Sequence, residues 1–228
     1  MRATSPKAYK GAGMEGWVAR WYARTRRNDM EDFRRQAKSI AARLASGSDL
    51  LEVAPGPGFF AIELSRLGDF KITALDISRT LVAIAKENAR EAGLRIDFRL
   101  GNASAMPFAP ESFDFVYCAA AFKNFSDPRK ALDEMHRVLR PGGRAVIADL
   151  RKDASLREID AYVSESGRSR FDAWLTKWAF RTMLLKRAYS REAWVEMAAG
   201  SRFGGCEVLA APPLGFEVRF EKTPPDTP

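Results

Sequence analysis

The chain has 228 residues, 46% of them hydrophobic and 29% charged, with a formal net charge of +8. That balance fits one sizeable globular core and excludes a disordered or fibrous chain; no run approaches the roughly 18 consecutive apolar residues of a membrane span. Cys118 and Cys206 stand in apolar stretches without CxxC or metal-ligand spacing, so buried reduced thiols are expected rather than a disulfide.

Residues 1–13 are aperiodic and basic and lack the apolar run of a secretory signal, so a loose N-terminus and a cytoplasmic location are expected. From 14 to 46 the apolar positions Trp17, Val18, Trp21 and Tyr22, then Phe33, Ala37, Ile40, Ala41 and Leu44, recur every three to four residues. They predict two amphipathic helices with a break near Arg26–Asp29. Strands are then expected near 50–54, 71–76, 95–100, 113–119 and 143–150, alternating with helices near 58–67, 79–92 and 128–140. The pattern is α/β, with helices on both faces of a mainly parallel sheet. The third helix is well marked: Asp127 can cap it, Pro128 suits its first position, and Pro141-Gly142-Gly143 stops it. Residues 153–199 leave the alternation and read as an inserted helical cover. The runs 206–211 and 216–222 predict a terminal hairpin, and the proline-rich end at 223–228 a loose tail. The expected organisation is thus a single domain over 14–222 between two flexible ends, without internal repeats.

A positive charge of this size raises nucleic acid as a partner. The arginines are scattered, however, and the enrichments at Arg20–Arg35 and Lys177–Arg191 are interleaved with aromatics at helical spacing. A solvated helix face is the reading adopted.

The sequence LLEVAPGPGFF, from residue 50, places a strand directly before a Gly/Pro turn and a helix. Gly56 and Gly58 there leave room for close approach of a ligand to backbone amides. A dinucleotide fingerprint would need glycine at 54, 56 and 59, where the chain has Ala54, Gly56 and Phe59; a bulky aromatic at the helix start disfavours a pyrophosphate. A Walker loop is excluded because no lysine followed by Ser or Thr ends the turn. Asp76 stands at the end of the second strand, where a carboxylate can accept from both ribose hydroxyls or cap the next helix.

Taken in order, EVAPGPG at 52–58, LDIS at 75–78, GNA at 101–103, FDFVYC at 113–118 and LRPGG at 139–143 resemble the successive motifs of class I S-adenosylmethionine-dependent methyltransferases. FKNFSDP at 122–128 is similar to a segment of the small-molecule ubiquinone/menaquinone C-methyltransferases. The resemblance implies a Rossmann-like seven-stranded sheet with its last strand antiparallel, and S-adenosyl-L-methionine as cofactor. It implies that Glu52 stands near the methionine amino group while Ala54, Gly56 and Gly58 line the turn. Asp76 would take the ribose hydroxyls, and Ile77 would pack on the adenine. Asn102 and Ala103 would meet its edge, and Cys118, Ala119 and Ala120 would run beside the methionine moiety. Ala54 and Asn102 depart from the glycine and aspartate common in the family; neither change is expected to abolish binding.

Methyl transfer is an in-line displacement that needs alignment in a dry pocket, with a base only where the nucleophile must lose a proton. No catalytic residue is evident, and the single histidine, His136, lies beside an apolar helical stripe as a surface or supporting residue. Substrate contacts are expected from Phe122, Lys123 and Asn124, then from Trp21, Tyr22, Arg151, Trp174 and Trp178. These would suit an apolar or aromatic small molecule. No metal is expected, since only Asp149 and Asp127 remain of an acidic cluster. The alternatives are a protein that uses the sulfonium without methyl transfer, for cyclisation, decarboxylation or regulation, and an RNA methyltransferase. A homodimer is compatible with the sequence.

Overall fold

The structure is a computed structural model that describes residues 9–10, 13–165 and 170–224. The expected loose ends at 1–13 and 223–228 fall mostly outside those residues.

Two helices, α1 (Gly16–Arg26) and α2 (Met30–Ala41), are separated by a 3-10 turn at Arg27–Asp29, where the sequence loses its apolar period. The alternating unit follows: β1 (Asp49–Val53), α3 (Phe59–Ser65), β2 (Lys71–Asp76), α4 (Arg79–Glu91), β3 (Asp97–Leu100), β4 (Phe113–Ala119), α5 (Pro128–Val138) and β5 (Leu139–Leu150). The cover comprises α6 (Leu156–Glu165), α7 (Arg170–Ala179), a π turn at Phe180–Leu184, and one closing turn, α8 (Leu185–Arg187). Helix α9 (Arg191–Ala199) and the hairpin β6 (Glu207–Ala211) and β7 (Gly215–Glu221) complete the chain.

Among the described residues the strands form one seven-stranded sheet in the order β3-β2-β1-β4-β5-β7-β6. The first five are parallel; β7 runs antiparallel between β5 and β6. This is the sheet implied by the family resemblance, with the five strands and terminal hairpin read from periodicity embedded in it. Alternate side chains feed two cores, as strand geometry requires. Leu51, Val53, Val116, Cys118 and Ile147 pack with α5 and α9; Leu50, Phe115, Tyr117 and Val146 pack with α2, α3 and α4.

One boundary is corrected. The helix α5 ends at Val138, and β5 starts at Leu139, four residues earlier than expected. Leu139 pairs with Phe113 and Arg144 with Phe115, so Pro141-Gly142-Gly143 forms an irregularity inside the strand rather than the stop of the helix. Pro and Gly report a local bend, and a strand can absorb one as a bulge.

Candidate functional site

The strand order reverses between β1 and β4, so the loops leaving the carboxyl ends of β1, β2 and β4 open a crevice there, where ligands of open α/β sheets bind. The first wall is the turn 54–58. Ala54, Gly56 and Gly58 all have positive φ, +59°, +56° and +79°. The amide of Ala54 donates to the Leu75 carbonyl at 2.8 Å, and that of Gly58 to Pro55 at 3.0 Å. Asn88 on α4 donates to the Pro57 carbonyl at 2.8 Å, which ties the turn to its neighbouring helix. A Cβ on Gly58 would lie 2.8 Å from the Phe98 ring and 3.0 Å from Ala85, so backbone and packing both demand glycine.

Asp76 closes the second wall. Its Oδ2 accepts from the Gly56 amide at 3.1 Å and its Oδ1 from the Ser78 amide at 2.8 Å. Burial pushes the carboxyl up to about 6, against the pull of these backbone donors. The capping role falls to Ser78, whose hydroxyl accepts from Leu81 N at 3.0 Å. The capping alternative for Asp76 is therefore corrected: Ser78 caps the helix, and Asp76 holds the turn. Glu15 also reaches the start of α4, accepting from Arg79 N at 2.8 Å and Thr80 N at 3.0 Å, and thereby holds the N-terminal segment beside Asp76.

Glu52 is buried at the end of β1, and among the described residues its Oε2 finds no hydrogen-bond partner. Burial, and then the Asp76 charge, push its carboxyl up to about 8. A buried acceptor without a donor is costly, and a ligand ammonium or hydroxyl would satisfy it. This orphaned oxygen and the glycine cradle fit the amino-acid end and the ribose of S-adenosylmethionine.

The remaining cofactor candidates divide. Ile77 is exposed beside Asp76 and offers an apolar face. Asn102 Oδ1 accepts from Ser104 N at 2.9 Å, which leaves one lone pair for a ligand. Ala103 is half-buried against the core. Cys118 is wholly buried and its thiol is pushed well above its ordinary value by burial, so only its backbone is available at the crevice. Ala119 is half-buried, and Ala120 is exposed at φ +57°.

Of the substrate candidates, Tyr22 lies over the glycine turn, its ring 3.5 Å from where a Gly56 Cβ would stand. Trp21 beside it is half-buried. Lys123 is buried in an ion pair with Asp149 at 2.7 Å, and also donates to the Ala120 carbonyl at 2.6 Å. Its backbone amide reaches the other Asp149 oxygen at 2.8 Å, so the loop after β4 is clamped to the end of β5. Asn124 accepts from Arg187 at 3.1 Å. Three expectations need correction. Phe122 is 0% exposed and packs on Phe125 and Trp194 at 5.1 and 4.9 Å, so it is a core residue. Arg151 pairs with Asp153 and Glu158 and lines a separate cavity with Arg191, Pro213 and Phe216. Trp174 and Trp178 are exposed on α7, which packs on α6. His136 sits edge-on to Phe203 at 5.0 Å, away from the crevice.

Tyr9 is absent from the sequence-based list. It bridges antiparallel to Phe125, with Lys10 N donating to the Asn124 carbonyl at 2.8 Å. Burial raises its hydroxyl, against the pull of the Arg187 charge. An isolated aromatic in an aperiodic stretch carries no sequence signal for this position.

The fold and the crevice are of the kind seen in S-adenosylmethionine-dependent methyltransferases, and residues 51–147 match the family described as "Methyltransferase domain". The chain is 39% identical over 122 residues to demethylmenaquinone methyltransferase of Deinococcus radiodurans, covering 53% of this chain and 51% of that one. It is 35% identical over 125 residues to O-methyltransferase resE of Aspergillus sclerotiorum, covering 53% and 47%. The chain thus spans about half the length of these curated relatives. A solved S-adenosylmethionine-dependent methyltransferase from Methanococcus maripaludis, described as putative, superposes with a TM-score of 0.76 at 21% identity, covering 97% and 100%. No helix among the described residues is long and apolar enough to cross a membrane, and no group of three or more metal-ligating side chains occurs among them.

Proposed function

We propose that the protein transfers a methyl group from S-adenosylmethionine to a small, largely apolar or aromatic metabolite. The observation that carries this reading is the orphaned Glu52 oxygen beside the glycine turn and Asp76. Glu52 holds the amino-acid end of the cofactor, Asp76 takes the ribose hydroxyls, and Ile77 with Asn102 borders the base. When bound, the cofactor supplies an activated methyl on a sulfonium. The chain's own task is positioning and exclusion of water. Tyr22 covers the glycine turn from the N-terminal side, Tyr9 bridges to Phe125 in the loop after β4, and the Lys123–Asp149 clamp fixes that loop. An aromatic acceptor suits Tyr22, and the names of the relatives, a demethylmenaquinone methyltransferase and an O-methyltransferase, belong to the same chemical range.

Calorimetric titration with S-adenosylmethionine and with its demethylated product tests the cofactor half of the reading. Binding is expected with both, and absence of heat with both sinks the proposal. Methyl-labelled cofactor offered with hydroquinones and phenols tests transfer; label retained on the cofactor across the panel and a metabolite extract would favour a role for the sulfonium without methyl transfer.

A further inference from the structure

The segment Arg170–Arg187 is rich in large apolar side chains, yet none of those described is fully buried. Its inner side has a use: Ala173, Phe180 and Leu185 pack on the small cluster of Ile159, Val163 and Leu214. Its outer side carries Trp174, Trp178 and Met183, exposed by 61%, 47% and 40%. Isolated exposed apolar residues are ordinary, but two tryptophans one helical turn apart with a methionine beyond them form a patch, and a patch marks an interaction surface. The same 18 residues contain five basic side chains, Arg170, Lys177, Arg181, Lys186 and Arg187, against one acid, Asp172. Asp160 on α6 holds Lys177 and Arg181, each at 3.3 Å, and so fixes two of the cations along this helix.

We propose that this face of the cover docks on an anionic phospholipid surface, from which an apolar acceptor enters the crevice; the second clause rests on the function proposed above. Indole rings settle at the boundary between headgroups and acyl chains, and basic side chains beside them meet lipid phosphates. An RNA would use the cations but leave Trp178 and Met183 without a role. The segment ends at Arg187, whose guanidinium donates to Asn124 in the loop bordering the crevice. The docking face and the crevice mouth are therefore joined by one short helix.

The test is sedimentation of the full chain with vesicles containing phosphatidylglycerol and with vesicles of phosphatidylcholine alone, without cofactor. Partition on the anionic vesicles only is expected, weakening as salt rises. Trp174→Ala/Trp178→Ala should reduce it about tenfold or more, given the apolar area two indoles would bury. Lys186→Gln should reduce it about fivefold, the scale of one cation at such a surface. Both variants should bind S-adenosylmethionine as the parent does, which shows that they are folded. Three results would overturn the proposal: no partition of the parent on anionic vesicles, RNA binding that the tryptophan variant leaves intact together with no vesicle binding, or a dimer in sedimentation velocity that the tryptophan changes dissolve. Failure on vesicles with cofactor binding retained removes the docking surface alone; loss of cofactor binding in the parent removes the function reading instead.

Discussion

Between Leu50 and Leu64 every residue except Ala54 is buried, whereas between Arg170 and Arg187 none of the described side chains is. Both stretches are apolar and both have regular structure, so composition does not separate them. The difference lies in what fills the space around them. The strand, glycine turn and helix α3 are packed on two sides by the protein itself, and their conformation is over-determined. The described part of the cover packs inward through Ala173, Phe180 and Leu185 and leaves Trp174, Trp178 and Met183 exposed.

The largest effect expected from breaking this contrast lies in the turn. Gly58→Val places a branched side chain at φ +79° against Phe98 and Ala85, and should cost about 3 kcal/mol in urea unfolding, from backbone strain plus overpacking. Next comes Asp76→Ala, which removes a carboxylate from the ligand and frees the Gly56 amide. Cofactor affinity measured by calorimetry should fall about tenfold or more, the scale of a lost hydrogen bond to a charged group.

Third is pH. Glu52 and Asp76 have folded values near 8 and 6, above their ordinary 4.5 and 3.8. The folded apoprotein therefore binds more protons than the unfolded chain between each pair of values. Stability from this source is fully present below pH 3.8 for Asp76 and pH 4.5 for Glu52, and is lost as pH rises through about 6 for Asp76 and about 8 for Glu52. Chemical denaturation without cofactor across that range should show the decline, and Glu52→Gln should remove its upper part. If Glu52 holds the cofactor's ammonium as proposed, it binds ionised, and cofactor binding should release protons below about pH 8, visible as a dependence of the calorimetric heat on buffer.

Smaller effects refine the comparison. Ala54 occupies the left-handed region at φ +59°, so Ala54→Gly should stabilise the protein by roughly 0.5–1 kcal/mol. Trp178→Gln on the cover should change stability by less than about 0.5 kcal/mol, as an exposed substitution does.

The order of strands and helices was legible because each element's apolar period is written in adjacent residues, and so was the turn at 54–58, whose glycines follow a strand directly. The early start of β5 was not, since Pro141-Gly142-Gly143 marks a bend without saying whether a strand continues through it. Nor were the roles of the aromatics. Phe122 and Tyr22 look alike as large side chains near a crevice, yet one is enclosed by Phe125 and Trp194 and the other lies across the glycine turn. Lys123 and Asp149 stand on different elements, and only strand pairing brings them into one buried ion pair.

By itself, then, the sequence determined the strand–turn–helix unit and the carboxylates at the ends of β1 and β2, because backbone dihedrals and helix starts depend on neighbouring residues; the class of ligand followed from the resemblance of the successive motifs to a family. Tertiary structure alone decided that Glu52 keeps an oxygen without a partner among the described residues, that Tyr9 bridges to Phe125, and that Trp174 and Trp178 are exposed. Those facts depend on contacts between segments far apart in the chain, and burial is a property of the packed whole.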